Sequence, residues 1–79
     1  QYAGAVAARL EDSDSGVRWA AVEALGRMPA EVQSQHAESV AARLKDSDEG
    51  VRRAAVRALE RMPAIVVEQQ VQEGQRHEL

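Results

Sequence analysis

Apolar residues recur at helical spacing from Val17 onward. The apolar positions of this segment are Val17, Ala20, Ala21, Ala24, Leu25 and Met28. This i, i+3, i+4, i+7 pattern predicts a helix with one buried stripe over residues 15–28. Asp14 stands three residues before Val17, where its carboxylate can accept hydrogen bonds from free amides of the first turn. Pro29 ends the helix because proline lacks an amide donor and disfavours helical geometry in the preceding residue.

The same pattern returns 34 positions later in the chain. Residues 6–30 reappear as residues 40–64, with 20 of the 25 residues unchanged. A second helix of this kind is therefore predicted over residues 49–62, between Asp48 and Pro63. A unit of about this length that recurs at a fixed spacing is one supersecondary element, and it stacks on copies of itself. The chain is therefore a repeat protein.

Weaker apolar stripes precede both predicted helices. The first is formed by Tyr2, Val6 and Leu10, and its copy by His36, Val40 and Leu44. They predict helices over residues 2–11 and about 32–45. An Asp-Ser-Asp sequence follows each one, and short polar side chains of this kind compete for backbone hydrogen bonds and favour a tight turn. Each unit is thus a helical hairpin with a first helix and a second helix.

The period divides the chain into units. Repeat 1 covers residues 1–34, repeat 2 covers residues 35–68, and residues 69–79 begin a partial third unit. Residues 64–73, with the sequence AIVVEQQVQE, are expected to start a fifth helix. The whole chain is therefore expected to form one small array of repeats.

Leucine, aspartate, valine and arginine occupy the same places in both repeats. The residues are Leu10, Asp12, Asp14, Val17, Arg18, Ala21 and Leu25, and again Leu44, Asp46, Asp48, Val51, Arg52, Ala55 and Leu59. They resemble the L-x-D-x-D-x-x-V-R-x-x-A-x-x-x-L signature of HEAT repeats. The resemblance implies an all-α fold, an α-solenoid of about two and a half stacked antiparallel helical hairpins. It also implies that second helices line the concave side.

The resemblance further implies a ladder in which turn aspartates and arginines link neighbouring repeats. Its members here are Asp12, Arg18, Asp46 and Arg52. A planar guanidinium with five donors can pair with a carboxylate of the adjoining repeat and with loop carbonyls together. We expect a structural role for both arginines, with a direct role in ligand binding as the alternative. The sequence departs from the family pattern at Gly16 and Gly50, where Pro or Glu is frequent.

Only five positions differ between residues 6–30 and their copies. The pairs are Glu11/Lys45, Ser15/Glu49, Trp19/Arg53, Glu23/Arg57 and Gly26/Glu60. Positions 19, 23 and 26 are spaced i, i+4, i+7 and share one face of a helix. We interpret this stripe as a recognition surface, extended by one further arginine. The predicted partner-binding residues are Trp19, Glu23, Arg53, Arg57 and Arg61.

The residue types of this surface indicate the chemistry of a partner. Tryptophan and arginine are enriched at binding hot spots. Residues 50–62 contain four Arg and one Glu, so an acidic or phosphorylated protein segment is the natural complement. Two other interpretations stay open: a solvated face with variable charge and no function, or packing of Trp19 on an adjacent unit or a second copy.

Composition excludes several classes of protein. Cys and Phe are absent, which removes disulfides and thiolate metal sites and agrees with an intracellular setting. The net charge of −3 is too mild to indicate a nucleic-acid binder. No apolar run approaches membrane-spanning length. A soluble protein without nucleic-acid or membrane partners is expected.

No motif of catalysis stands out. The sequence has no Gly-rich phosphate loop, no thiol nucleophile and no recognisable nucleophile elbow. Glu73 and His77, at i, i+4, are the only local pair of metal-ligand types, and one pair is too few for a site. We therefore predict a protein without enzyme activity, bound metal or cofactor.

Two functions follow from these patterns. The first is a non-enzymatic scaffold that presents its second helices to a partner protein, as a piece of a longer array. The alternative is a self-assembly element whose apolar ends, including Ile65, Val66, Val67 and Val71, pair with identical chains. Repeat arrays usually need about three units with polar caps at their ends. A longer array would add the further units, and self-assembly would cover the open ends. No such cap is visible in the sequence.

Overall fold

The computed structural model describes residues 2–62, and helices joined by short connections make up this part of the chain. The helices are α1 (Tyr2–Ala8), α2 (Ser15–Gly26), α3 (Ala30–Ala42) and α4 (Glu49–Arg61). No strand occurs in this part of the chain, so the predicted all-α class is confirmed. The expected fifth helix over residues 64–73 and the partial unit over residues 69–79 lie outside the described residues.

Aspartate side chains fix the starts of both second helices. Oδ1 of Asp14 accepts from the amides of Gly16 at 2.7 Å and Val17 at 3.3 Å. Oδ2 of Asp48 accepts from the amide of Val51 at 3.0 Å. These amides have no partner inside their helix, so the caps satisfy them. The predicted starts of the second helices are confirmed.

The helix ends differ from the predicted bounds by one to three residues. α2 ends at Gly26 rather than at residue 28, and the side-chain amide of Gln33 donates to the Gly26 carbonyl at 3.0 Å. α3 begins at Ala30, before the predicted residue 32, because the Pro29 carbonyl accepts from the Gln33 amide at 3.0 Å. α4 ends at Arg61, one residue early. Gln33, which is buried, therefore sets the connection between the two repeats.

Both first helices tighten before they end. The predicted helices over residues 2–11 and 32–45 finish in 3-10 turns, Arg9–Glu11 and Arg43–Lys45. In each turn the next aspartate, Asp12 or Asp46, donates its amide to the carbonyl three residues earlier at 3.1 Å. These aspartates then adopt extended backbone angles. The tighter winding leads the chain directly into the Asp-Ser-Asp turn.

The core lies between the helices of both repeats. α2 packs most extensively on α4, while α1 packs against α2 and α3 contacts α2 and α4. The apolar core cluster contains Leu10, Ala21, Val22, Leu25, Ala37, Val40, Val51, Ala54, Ala55, Ala58 and Met62. Three residues of the predicted stripes are instead exposed, namely Tyr2, Ala20 and Leu44. Fully buried Val22 was missed because it lies outside the predicted stripe.

None of the helices within residues 2–62 is both long enough and apolar enough to cross a membrane.

Candidate functional site

A carboxylate of repeat 2 and a guanidinium of repeat 1 meet beside the two Asp-Ser-Asp turns. Arg18 donates from Nε to Oδ2 of Asp46 and from Nη2 to Oδ1 of the same residue, both at 2.9 Å. Only 6% of Asp46 is exposed. Two parallel charge-assisted hydrogen bonds of this kind fix orientation as well as distance. The pair therefore joins the two repeats in one geometry.

The remaining donors of the same cluster tie down the turns themselves. Nη1 of Arg18 donates to the carbonyls of Asp12 at 2.8 Å and Ser13 at 3.2 Å. Nη1 of Arg43 donates to Oδ2 of Asp46 at 3.1 Å and to the Leu10 carbonyl at 3.1 Å. Backbone carbonyls that no helix uses are thereby satisfied.

The other two residues of the expected ladder make their described contacts within their own repeats. Oδ1 of Asp12 accepts from the Asp14 amide at 2.9 Å, and Arg9 lies 3.9 Å away. Nη1 of Arg52 donates to the Asp46 carbonyl at 2.7 Å. Within residues 2–62, only the pair described above links an aspartate and an arginine of different repeats.

The surface formed by the second helices carries the predicted partner-binding residues. We call Trp19, Glu23, Arg53, Arg57 and Arg61 the second-helix surface. Trp19 on α2 is 43% exposed. The Arg53 side chain on α4 is 70% exposed, and its Nη2 donates to Glu49 at 2.6 Å. These two side chains are open to solvent and to a partner.

Glu23 occupies a different position from its neighbours on this surface. It is buried, with 9% of the residue exposed. It accepts from Nη2 of Arg57 at 2.9 Å and from Nη1 of Arg61 at 3.0 Å, while Nη2 of Arg27 lies 3.9 Å away. The carboxylate therefore holds two arginines of repeat 2 from within repeat 1.

Positions 19, 23 and 26 do not form one exposed stripe, and that interpretation is corrected. Trp19 is exposed, whereas Glu23 and Gly26 are buried. The reason is that α2 is covered by α4, while the copies of these residues lie on the far side of α4. The differences Glu23/Arg57 and Gly26/Glu60 therefore separate a covered face from an exposed one.

Arginine contacts perturb both buried carboxylates. Hydrogen bonds from Arg61 and then Arg57 lower the pKa of Glu23, although burial acts in the opposite direction. The hydrogen bond from Arg18 lowers the pKa of Asp46, again against the effect of burial. Both groups are thus more acidic in the folded chain than in the unfolded chain.

Folding stability is expected to fall in acid. A carboxylate with a lowered folded pKa contributes its full stabilisation above its unfolded pKa, and loses it as pH falls through the folded pKa. Asp46 and Glu23 should therefore keep the melting temperature level near neutral pH and lower it below about pH 4.5. Thermal unfolding followed by circular dichroism would measure this. A melting temperature that rises on acidification would contradict the assignment.

The described residues offer no metal centre. No group of three or more His, Cys, Asp or Glu side chains capable of holding a metal ion occurs among residues 2–62. A groove of about 510 Å³ beside the two turns is lined by Arg18, Asp46 and their neighbours. Arg18, Arg43 and Asp46 of this groove already hold the turns through their hydrogen bonds. Glu73 and His77 lie outside the described residues.

Antiparallel hairpins stacked through their second helices and joined by an arginine–aspartate pair define a helical-repeat protein. The sequence matches the HEAT repeats over residues 3–72, and the chain belongs to this family. HEAT repeats are commonly protein-interaction scaffolds and are generally not enzymes. Comparison with curated proteins gave no match, and comparison with solved structures gave none either.

Proposed function

We propose that this chain is a protein-interaction scaffold whose second-helix surface binds an acidic segment of a partner protein. The observation that carries the proposal is the arrangement around Glu23. The Arg57 and Arg61 side chains bound to Glu23 remain 46% and 39% exposed. Each arginine therefore has a fixed position and still reaches solvent.

Fixed arginines favour binding because less side-chain freedom is lost when a partner arrives. Arginine has five donors, and the contacts with Glu23 use one nitrogen of each guanidinium. The other donors remain for a carboxylate or phosphate of a partner. Glu23, which we expected to contact a partner itself, is instead proposed to position these two arginines.

Charge and an apolar anchor complete the surface. Glu23 balances one of the two arginines that it holds, so this cluster keeps a positive charge. Trp19 lies one helical turn before Glu23 on the same face of α2 and presents a large rigid ring. A partner segment with acidic residues next to an apolar side chain matches this arrangement.

Selection from a random peptide library on the immobilised chain would test the proposal. Selected peptides are expected to be rich in Asp and Glu. The double variant Trp19→Ala/Arg53→Ala should weaken their binding roughly a hundredfold, since each hot-spot residue contributes about 1–2 kcal/mol. Isothermal titration calorimetry would measure the change. The hydrogen bonds of Glu23 go to Arg57 and Arg61, which both remain in this variant.

Tyr2→Ala/Arg9→Ala is the matched control. It also removes one exposed aromatic residue and one exposed arginine, whose side chain is 67% exposed, but from α1 and its turn. Its affinity for the selected peptides should equal that of the unmodified chain. Equal losses in the two double variants, or peptides without acidic residues, would show that the second-helix surface does not bind acidic segments.

Self-assembly remains the second proposal, and one valine favours it. Val22 on α2 is fully buried, while its copy Val56 on α4 is 45% exposed. An apolar position that is buried in repeat 1 is thus exposed in repeat 2. Ile65, Val66, Val67 and Val71, which were expected to contribute, lie outside the described residues.

A further inference from the structure

The second helices approach each other closely at Gly26. A Cβ atom placed on Gly26 would lie 3.0 Å from Cβ of Ala58 and 3.1 Å from its Cα. Carbon atoms in contact normally stay about 3.5–4.0 Å apart. Because one of the obstructing atoms belongs to the backbone of α4, it cannot turn aside. A side chain at position 26 would therefore require α2 and α4 to move apart by a few tenths of an ångström.

The equivalent position of repeat 2 holds a large charged residue. The copy of Gly26 is Glu60, which is exposed on α4. A further second helix stacked on α4 at the same spacing would bring its counterpart of Ala58 against Glu60. In a second copy of this chain that counterpart is Ala24. The Cβ of Glu60 alone would repeat the contact that Gly26 avoids, and the rest of the side chain would add to it.

We infer that Glu60 opposes the close stacking of a further second helix on α4 and so weakens the association of a second copy of this chain with repeat 2. The residue acts as a polar cap, a feature that the sequence pattern alone did not show. It lies on the face of α4 that corresponds to the covered face of α2. This inference does not depend on the proposed binding of an acidic segment.

The cap opposes an attraction that the same surface would otherwise provide. In such a stack Arg52 of one copy would meet Asp12 of the next, as Arg18 meets Asp46 within the chain. Val56 would also be covered. Charge and apolar contact thus favour head-to-tail stacking, and the bulk of Glu60 opposes it. An array without this residue could extend without closing.

Sedimentation equilibrium of the intact chain and four variants would test the inference. Glu60→Gly should tighten self-association roughly tenfold or more, because overpacking of this kind typically costs enough to change an equilibrium constant by that factor. Glu60→Ala should have a smaller effect, since its Cβ remains. Glu60→Gln removes the charge but keeps the bulk, and should behave as the unmodified chain does. Adding Arg52→Met to Glu60→Gly should reverse the gain.

Three outcomes would overturn the inference. The unmodified chain could associate as tightly as Glu60→Gly, the Gln and Gly variants could gain equally, or Glu60→Gly could fail to associate while circular dichroism shows it folded.

A monomer measurement tests the premise separately. Gly26→Ala should lower the melting temperature by about 5 °C or more, and adding Ala58→Gly should restore part of the loss. A neutral Gly26→Ala variant would remove the steric argument.

Discussion

Replacing Asp46 with alanine is expected to lower the free energy of unfolding by about 3 kcal/mol, the usual cost of removing one member of a buried ion pair. Asp46 accepts from Arg18, Arg43 and the amide of Asp48. All of these donors lose their acceptor together in the variant. A core of this size contributes roughly 3–5 kcal/mol of net stability. The variant should therefore keep no more than about 2 kcal/mol of net stability, so that part of the population is unfolded at room temperature.

Asp12→Ala is the control, because Asp12 has the same place in repeat 1. Its side chain is 27% exposed and its described contacts are an amide at 2.9 Å and Arg9 at 3.9 Å. A loss below about 1 kcal/mol is expected for contacts of this kind. Urea unfolding followed by circular dichroism would compare the two variants. Equal losses would mean that the link between repeats contributes little beyond the turn itself.

Glu23→Ala is expected to have the next largest effect, a loss of about 2 kcal/mol. The variant removes the acceptor of two charge-assisted hydrogen bonds, from Arg57 and Arg61, and such bonds each contribute on the order of 1.5–3 kcal/mol. The full sum is not expected, because both arginines are partly exposed and would be hydrated in the variant. The loss should therefore be smaller than that for Asp46.

Glu38→Ala provides the comparison for this prediction. Glu38 is an exposed residue of α3, and removing a surface carboxylate usually changes stability by less than about 0.5 kcal/mol. The same urea titration would measure both variants. If the two glutamates proved equivalent, Glu23 would have no role in joining the repeats, and the support for fixed arginines on the second-helix surface would be lost.

Much of the fold was predictable because its signals are local. The caps at Asp14 and Asp48 depend on the side chain and the amides of the next three residues, so the starts of α2 and α4 follow from the sequence. The period of the repeat, together with the helical spacing of apolar residues, indicates hairpins that stack. These features do not require knowledge of how the helices approach one another.

The ends of the helices depend on contacts between elements, and the sequence predicted them less well. α2 ends at Gly26, whose carbonyl accepts from the side-chain amide of buried Gln33, seven residues later. The 3-10 turns after α1 and α3 leave no mark on the apolar pattern. Tyr2 and Leu44 match their stripes in spacing, but the helices between residues 2 and 62 leave both of them exposed.

The candidate site shows the same division between local and distant signals. Comparison of the two repeats identified the positions at which they differ, but it could not tell a free face from a covered one. Glu23 and Arg57 differ because they contact each other across the repeats. Opposite charges at the same position of two repeats can therefore also indicate a contact between those repeats. This signal was available in the sequence.

The position of Asp46 also has a consequence for cooperativity. Its carboxylate belongs to repeat 2, yet it holds the arginine that secures the turn of repeat 1. Neither hairpin can open without releasing hydrogen bonds of the other, and in repeat arrays such coupling between neighbours makes adjacent units unfold together. Slowly exchanging amides of α2 and α4 should therefore report one common opening event rather than two.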